Sequence, residues 1–175
     1  ALAKFANVMG TSSTDYEKLG STIVELGNNF ATTEADIVSM ATRLSGAGAT
    51  VGLSEANVLS LATALSSVGI EAEAGGSAMS KAMIDMALAV ETGKGSYGSL
   101  ADYAKVANMS TQDFANTMKN DAMSAITAFI VGLGNTENTG KSTLQLLDDL
   151  GINLNLAPVV DVSTNSNDYI YERTI

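Results

Sequence analysis

Chemistry in this chain has few places to start. It contains no His and no Cys, so the commonest general base, the thiol nucleophiles and thiolate metal sites are all missing. What remains is glycine-rich stretches, paired carboxylates and hydroxyls. The stretch 134–142 ends in Gly140-Lys141-Ser142 and invites comparison with a phosphate-binding loop. That loop needs Gly, four residues, then Gly-Lys-Ser, so that backbone N–H groups wrap the phosphates. Here position 135 is Asn and Gly134 stands one place too early, after an apolar run (126–133) that reads as helix rather than buried strand. A polar inter-helix loop is the better reading. Gly93-Lys94-Gly95-Ser96-Tyr97-Gly98 is a second glycine-rich stretch and reads as a flexible connection. Carboxylates pair at Glu71/Glu73 and Asp148/Asp149, but neither pair sits among apolar groups that would raise a pKa for general-acid work. Both read as solvated helix faces.

The elements that would have to position such groups are helices. Thr14 with Glu17 and Thr33 with Asp36 match capping boxes or close variants, while Ser54 and Ser110 (with Asp113) are further hydroxyl N-caps. After Ser54, Leu61, Ala62 and Leu65 continue an apolar stripe; after Ser110, Phe114 and Met118 do the same. Glycines 27, 69, 93 and 151 stand where helix C-caps are expected. The pattern predicts helices over 14–28, 34–50, 54–68, 73–92, 97–107, 110–119, 121–133 and 139–150. Three junctions share one chemistry: Val8-Met9-Gly10-Thr11-Ser12, Val51-Gly52-Leu53-Ser54 and Ala107-Asn108-Met109-Ser110. Each offers Gly or Asn for a left-handed cap, then a hydroxyl to open the next helix. Their irregular spacing argues for related stacked hairpins rather than a strict solenoid.

Composition sets the limits. A length of 175 residues suffices for one domain with a real core. There is no Trp and aromatics are 5%, so the core must come from Ala, Leu, Ile, Val and Met. A net charge of −10, with nine basic residues spread singly, argues against phosphate-backbone binding by this segment. The longest apolar stretches, 79–90 and 122–133, are interrupted by Lys81 and Asp85 or too short to span a bilayer, so no membrane insertion is expected. Ala1-Leu2-Ala3-Lys4-Phe5-Ala6 begins mid-helix without an initiator Met or a basic signal-peptide segment, and is expected to belong to an excised fragment.

One helix face stands out. Gly75 and Gly76, followed by Ala78, Met79, Ala82, Met83 and Met86, form a small-residue and methionine stripe. Gly75-Gly76 either allows close backbone approach of another helix or marks a helix start capped by Ser77. The methionines either fill a core or form an adaptable binding surface.

The last residues differ in kind. Leu154-Asn155-Leu156-Ala157-Pro158-Val159-Val160-Asp161-Val162 is a buried-strand pattern holding the only proline, followed by polar Ser163-Thr164-Asn165-Ser166-Asn167-Asp168. The expected organisation is therefore an all-α domain of short helices packed as antiparallel hairpins over 1–152, with a strand-like or disordered tail over 153–175.

Two resemblances follow from these residues. Leu19-Gly20-Ser21-Thr22-Ile23-Val24-Glu25-Leu26-Gly27-Asn28-Asn29-Phe30-Ala31-Thr32-Thr33-Glu34 resembles the core region of phage tail tape measure proteins. So do Ser66-Ser67-Val68-Gly69-Ile70-Glu71-Ala72-Glu73-Ala74-Gly75-Gly76-Ser77-Ala78-Met79 and Thr143-Leu144-Gln145-Leu146-Leu147-Asp148-Asp149-Leu150-Gly151-Ile152. This resemblance, over about 1–152, implies a helical, non-enzymatic segment of a long protein that sets tail length during virion assembly. Its implied places are the virion tail and, during assembly, the host cytoplasm. Implied partners are other tail proteins or further copies through helices, with no cofactor, metal, nucleic acid or small-molecule substrate. The run from Gly151 through Asn165, with Glu172-Arg173-Thr174 beyond, instead resembles an early barrel strand of family 3 glycoside hydrolases, especially the β-N-acetylhexosaminidase type. That likeness implies a sugar contact for Asp161 at the C-terminal end of a barrel. The rest of such a barrel, with its nucleophile and acid, is absent, and one strand cannot position the two carboxyl groups the chemistry uses. Leu-Gly-Ile occurs in both patterns, which places a junction near 150–153 and suggests a chimera of natural, engineered or artefactual origin.

Overall fold

The structure is a computed structural model, and it describes residues 1–134. Its described part is all-α. In chain order it contains α1 (Leu2–Met9), α2 (Tyr16–Asn29), α3 (Glu34–Thr50), α4 (Glu55–Ser67), a π-helical turn (Ala72–Gly76), α5 (Ser77–Thr92), α6 (Leu100–Val106), α7 (Thr111–Asn120) and α8 (Ala122–Gly134). The expected helix 139–150, the tail 153–175, Gly151, the pair Asp148/Asp149, Gly140-Lys141-Ser142 and Asp161 lie outside the described residues.

Hydroxyl caps start several helices because their oxygens satisfy backbone N–H groups that the first turn leaves free. Thr33 accepts from the Asp36 N–H, Ser54 from Asn57 and Ser110 from Asp113. Thr14 does not cap. The N-cap of α2 is Asp15 in an αR conformation, while Thr14 pairs with the Ser12 hydroxyl at 2.7 Å. The three expected left-handed junctions form: Gly10 has φ 74°, Gly52 φ 81° and Asn108 φ 54°. Gly69 and Gly93 also adopt positive φ after α4 and α5. Gly27 is no C-cap. It lies inside α2, where a Cβ would come within 2.8 Å of the Glu34 side chain.

α3 is the hub. Ile37, Met40, Ala41, Leu44 and Ala47 bury one face at helical spacing, and α1, α2, α4, the π turn and α5 all pack on it. Small residues set the approach distances. A Cβ at Gly48 would stand 2.7 Å from Val58 Cγ2, so α3 and α4 pack as closely as they do because position 48 has no side chain. Alanines 41, 62, 82 and 89 are fully buried along the same interior. A buried Ala adds only about 0.8 kcal/mol where a Leu adds roughly 2. Close packing thus replaces bulk.

α6–α8 bring further large aromatic side chains into the same core. Tyr103, Phe114 and Phe129 are fully buried. Tyr103 stacks on Phe114 at 6.5 Å between centroids and meets Phe129 at 5.6 Å with a tilt of 58°. α8 closes on α6 at Gly132, where a Cβ would collide with the Val106 carbonyl oxygen.

Candidate functional site

The stripe read from the sequence is turned inward. Gly76, Ala78, Met79, Ala82, Met83 and Met86 are all buried in one continuous core with the residues of α3. Gly76 makes the close approach: a Cβ there would lie 2.9 Å from Arg43 Cβ and 3.1 Å from Met40 Sδ. Gly75 is hemmed in by the Ile70 side chain, which a Cβ would strike. Ser77 is not a cap; α5 continues from the π turn with Gly76 already in αR geometry. Five of the methionines (40, 79, 83, 86 and 118) fill the core, so any partner helix reading this stripe must first displace α3. The acid pair Glu71/Glu73 is exposed, and Glu73 meets Arg43 at 3.0 Å.

The most unusual chemistry in the described residues is elsewhere. Asp85 lies on the inward stripe of α5 and is only 3% exposed. Moving a carboxylate out of water is costly unless donors replace the lost hydration. The loop after α5 supplies them. The backbone N–H groups of Ser96, Tyr97 and Gly98 donate to its two oxygens at 2.5, 3.2 and 3.3 Å. The Tyr103 hydroxyl donates to Oδ2 at 2.6 Å. Successive N–H groups of this kind form an anion-holding nest, and here an internal carboxylate fills it.

The loop takes this shape for local reasons. Gly93 ends α5 with φ 83°, and the Thr92 hydroxyl donates to the Lys94 carbonyl at 2.7 Å. The Gly95 N–H donates to the Gly98 carbonyl at 2.7 Å and that of Leu100 to Gly93 at 3.1 Å, closing the turn. A Cβ at Gly95 would overlap the Asp85 carboxylate, so glycine is required there. Ser99 then opens α6 with a full capping box: it accepts from the Asp102 N–H at 3.2 Å, while Asp102 accepts from the Ser99 N–H at 2.9 Å. This stretch, expected as a flexible connection, is a fitted clasp.

The electrostatics favour holding over reacting. Burial, and then the hydrogen bond to Asp85, push the Tyr103 hydroxyl far above its ordinary range. A phenol that keeps its proton this firmly is a hydrogen-bond donor, whereas acid–base catalysis works best with a pKa near the operating pH. Among the described residues no buried side-chain polar atom lacks a partner, and no group of three or more acidic residues is placed to hold a metal. A shallow depression of about 450 Å³ between the α6–α7 turn and α8 is lined by Asn108, Ser124, Thr127 and Val131 among others, with no titratable group on its wall. No described helix is long and apolar enough to cross a membrane.

Asp85 was missed from the sequence because it reads as an interruption of an apolar stretch. A signal was present: an acid in register with Ala78, Ala82 and Ala89, followed closely by three glycines in six residues. No protein-family model, curated protein or solved structure matches the chain.

Proposed function

We propose that residues 1–152 are a structural segment of a phage tail tape measure protein, acting in tail length determination and virion tail assembly. The observation that carries this reading is the dense likeness of 19–34, 66–79 and 143–152 to the core region of that family. The all-α architecture supports it. So does the use of its polar groups: the buried Asp85, held by Tyr103, and the helix caps at Thr33, Ser54, Ser99 and Ser110 all hold backbone in place. On this reading the segment works through packing, with other tail proteins or further copies as partners. It is made in the host cytoplasm and ends in the virion tail.

Mass spectrometry of gradient-purified virions tests this. Peptides from α2–α5 co-purifying with tails are expected; their restriction to the soluble host fraction contradicts the reading. A fragment of a family 3 glycoside hydrolase is the second reading, favoured only by the run around Asp161. It requires turnover of an aryl N-acetylglucosaminide by this chain, and none is expected.

A further inference from the structure

We propose that the described chain opens as two cooperative units, α1–α5 and α6–α8, with the Asp85 nest as the latch between them. Three independent observations lead there. First, the contacts divide. α1, α2, α4, the π turn and α5 gather on α3, whereas α6, α7 and α8 pack on one another and reach the rest chiefly through α5. Second, within the common core the large side chains of α6–α8 meet one another. The second unit keeps Tyr103, Phe114 and Phe129 together, with Ala125 and Ile126 buried beside them. Third, the seam carries a charge. Asp85 belongs to α5, and its donors belong to the 96–98 loop and to α6.

These facts make the latch all-or-none. Its hydrogen bonds are made only when the loop is wound and α6 is seated. Pulling α6 away strips the buried carboxylate of the Tyr103 hydroxyl and loosens the loop, and a half-satisfied polar cluster is worse than either a full one or solvent. Intermediate positions are disfavoured, so α6–α8 is either docked or released. Release exposes the carboxylate to water, which then replaces the lost donors. Local opening of such contiguous units at less than the global unfolding free energy is a general property of domains.

Hydrogen exchange of the full 175-residue chain, read amide by amide under native conditions, tests this. In the unmutated protein, amides of α6–α8 are expected to exchange as one group, faster than those buried in α3 and α4. Asp85→Asn places an amide where the nest presents donors, and Gly95→Ala puts a methyl on the carboxylate from the loop side. Each is expected to raise α6–α8 exchange by about tenfold or more while leaving α3 unchanged. Exchange of α3 and α6–α8 at one common rate in the unmutated protein overturns the proposal, whatever the variants do. So does an equal acceleration of both groups in a folded variant.

Discussion

Asp85 and Tyr103 stand 18 positions apart on different helices and meet in the interior, the tyrosine hydroxyl donating to Asp85 Oδ2 at 2.6 Å. The bond joins the end of one helical group to the start of another. It also sets how the fold responds to alkali. The phenol ionises near pH 10 in an unfolded chain, whereas burial and Asp85 keep it protonated well beyond that in the folded one. Ionisation thus favours the unfolded state.

The Tyr103 contribution is therefore intact below pH about 10 and falls above it, by up to about 1.4 kcal/mol per pH unit. Tyr103→Phe should flatten that part of the curve. Urea unfolding on either side of pH about 10 measures it. Equal alkaline slopes for the two proteins would contradict the assignment.

At neutral pH, Tyr103→Phe removes one donor from a buried carboxylate but keeps the ring against Phe114 and Phe129. A loss of about 2 kcal/mol is expected. Denaturant midpoints check it, with the slope unchanged.

Glycine positions separate by what a methyl would meet. Gly132→Ala drives a Cβ onto the Val106 carbonyl oxygen, part of the backbone that cannot swing aside. It should cost about 3 kcal/mol or prevent α8 from seating. Gly20 lies inside α2 with nothing within 4 Å. Gly20→Ala should stabilise by about 0.5–1 kcal/mol. A Gly132→Ala melting temperature at or above that of the unsubstituted protein would contradict the close approach at 132.

Caps give a further contrast. Thr33→Ala, Ser54→Ala and Ser110→Ala each remove an oxygen that accepts a first-turn N–H and should cost about 1 kcal/mol. Thr14→Ala, at a position that looks like a cap and is not one, should stay within about 0.5 kcal/mol. A comparable loss at Thr14 would mean that α2 starts differently.

Much of the helical frame was legible because its signals are local. A hydroxyl at Ser54 or Ser110 and a Gly or Asn at 52 or 108 act within a few residues, and they act in the structure as their chemistry implies. Thr14 and Gly27 failed because neighbours compete. Asp15 stands beside Thr14 at the start of α2, and the α2 ladder runs through Gly27 as far as Asn29. Ser99 with Asp102 carried a readable capping box inside what looked like helix from 97. The Asp85 site was not legible. Its meaning depends on a loop folding back over α5 and on Tyr103 arriving from α6, and no spacing rule links position 85 to positions 96–98 and 103. The inward turn of the Gly/Ala/Met stripe likewise depends on α3 covering it.

The most direct test of the functional account is tail length. An in-frame deletion of the codons for 1–152, made in the phage or prophage gene that carries them, removes a defined length of ruler. A fully extended helix advances about 1.5 Å per residue and packed hairpins advance less, so tails measured by electron microscopy should shorten by up to about 230 Å. Particles with tails of unchanged length would contradict the proposal.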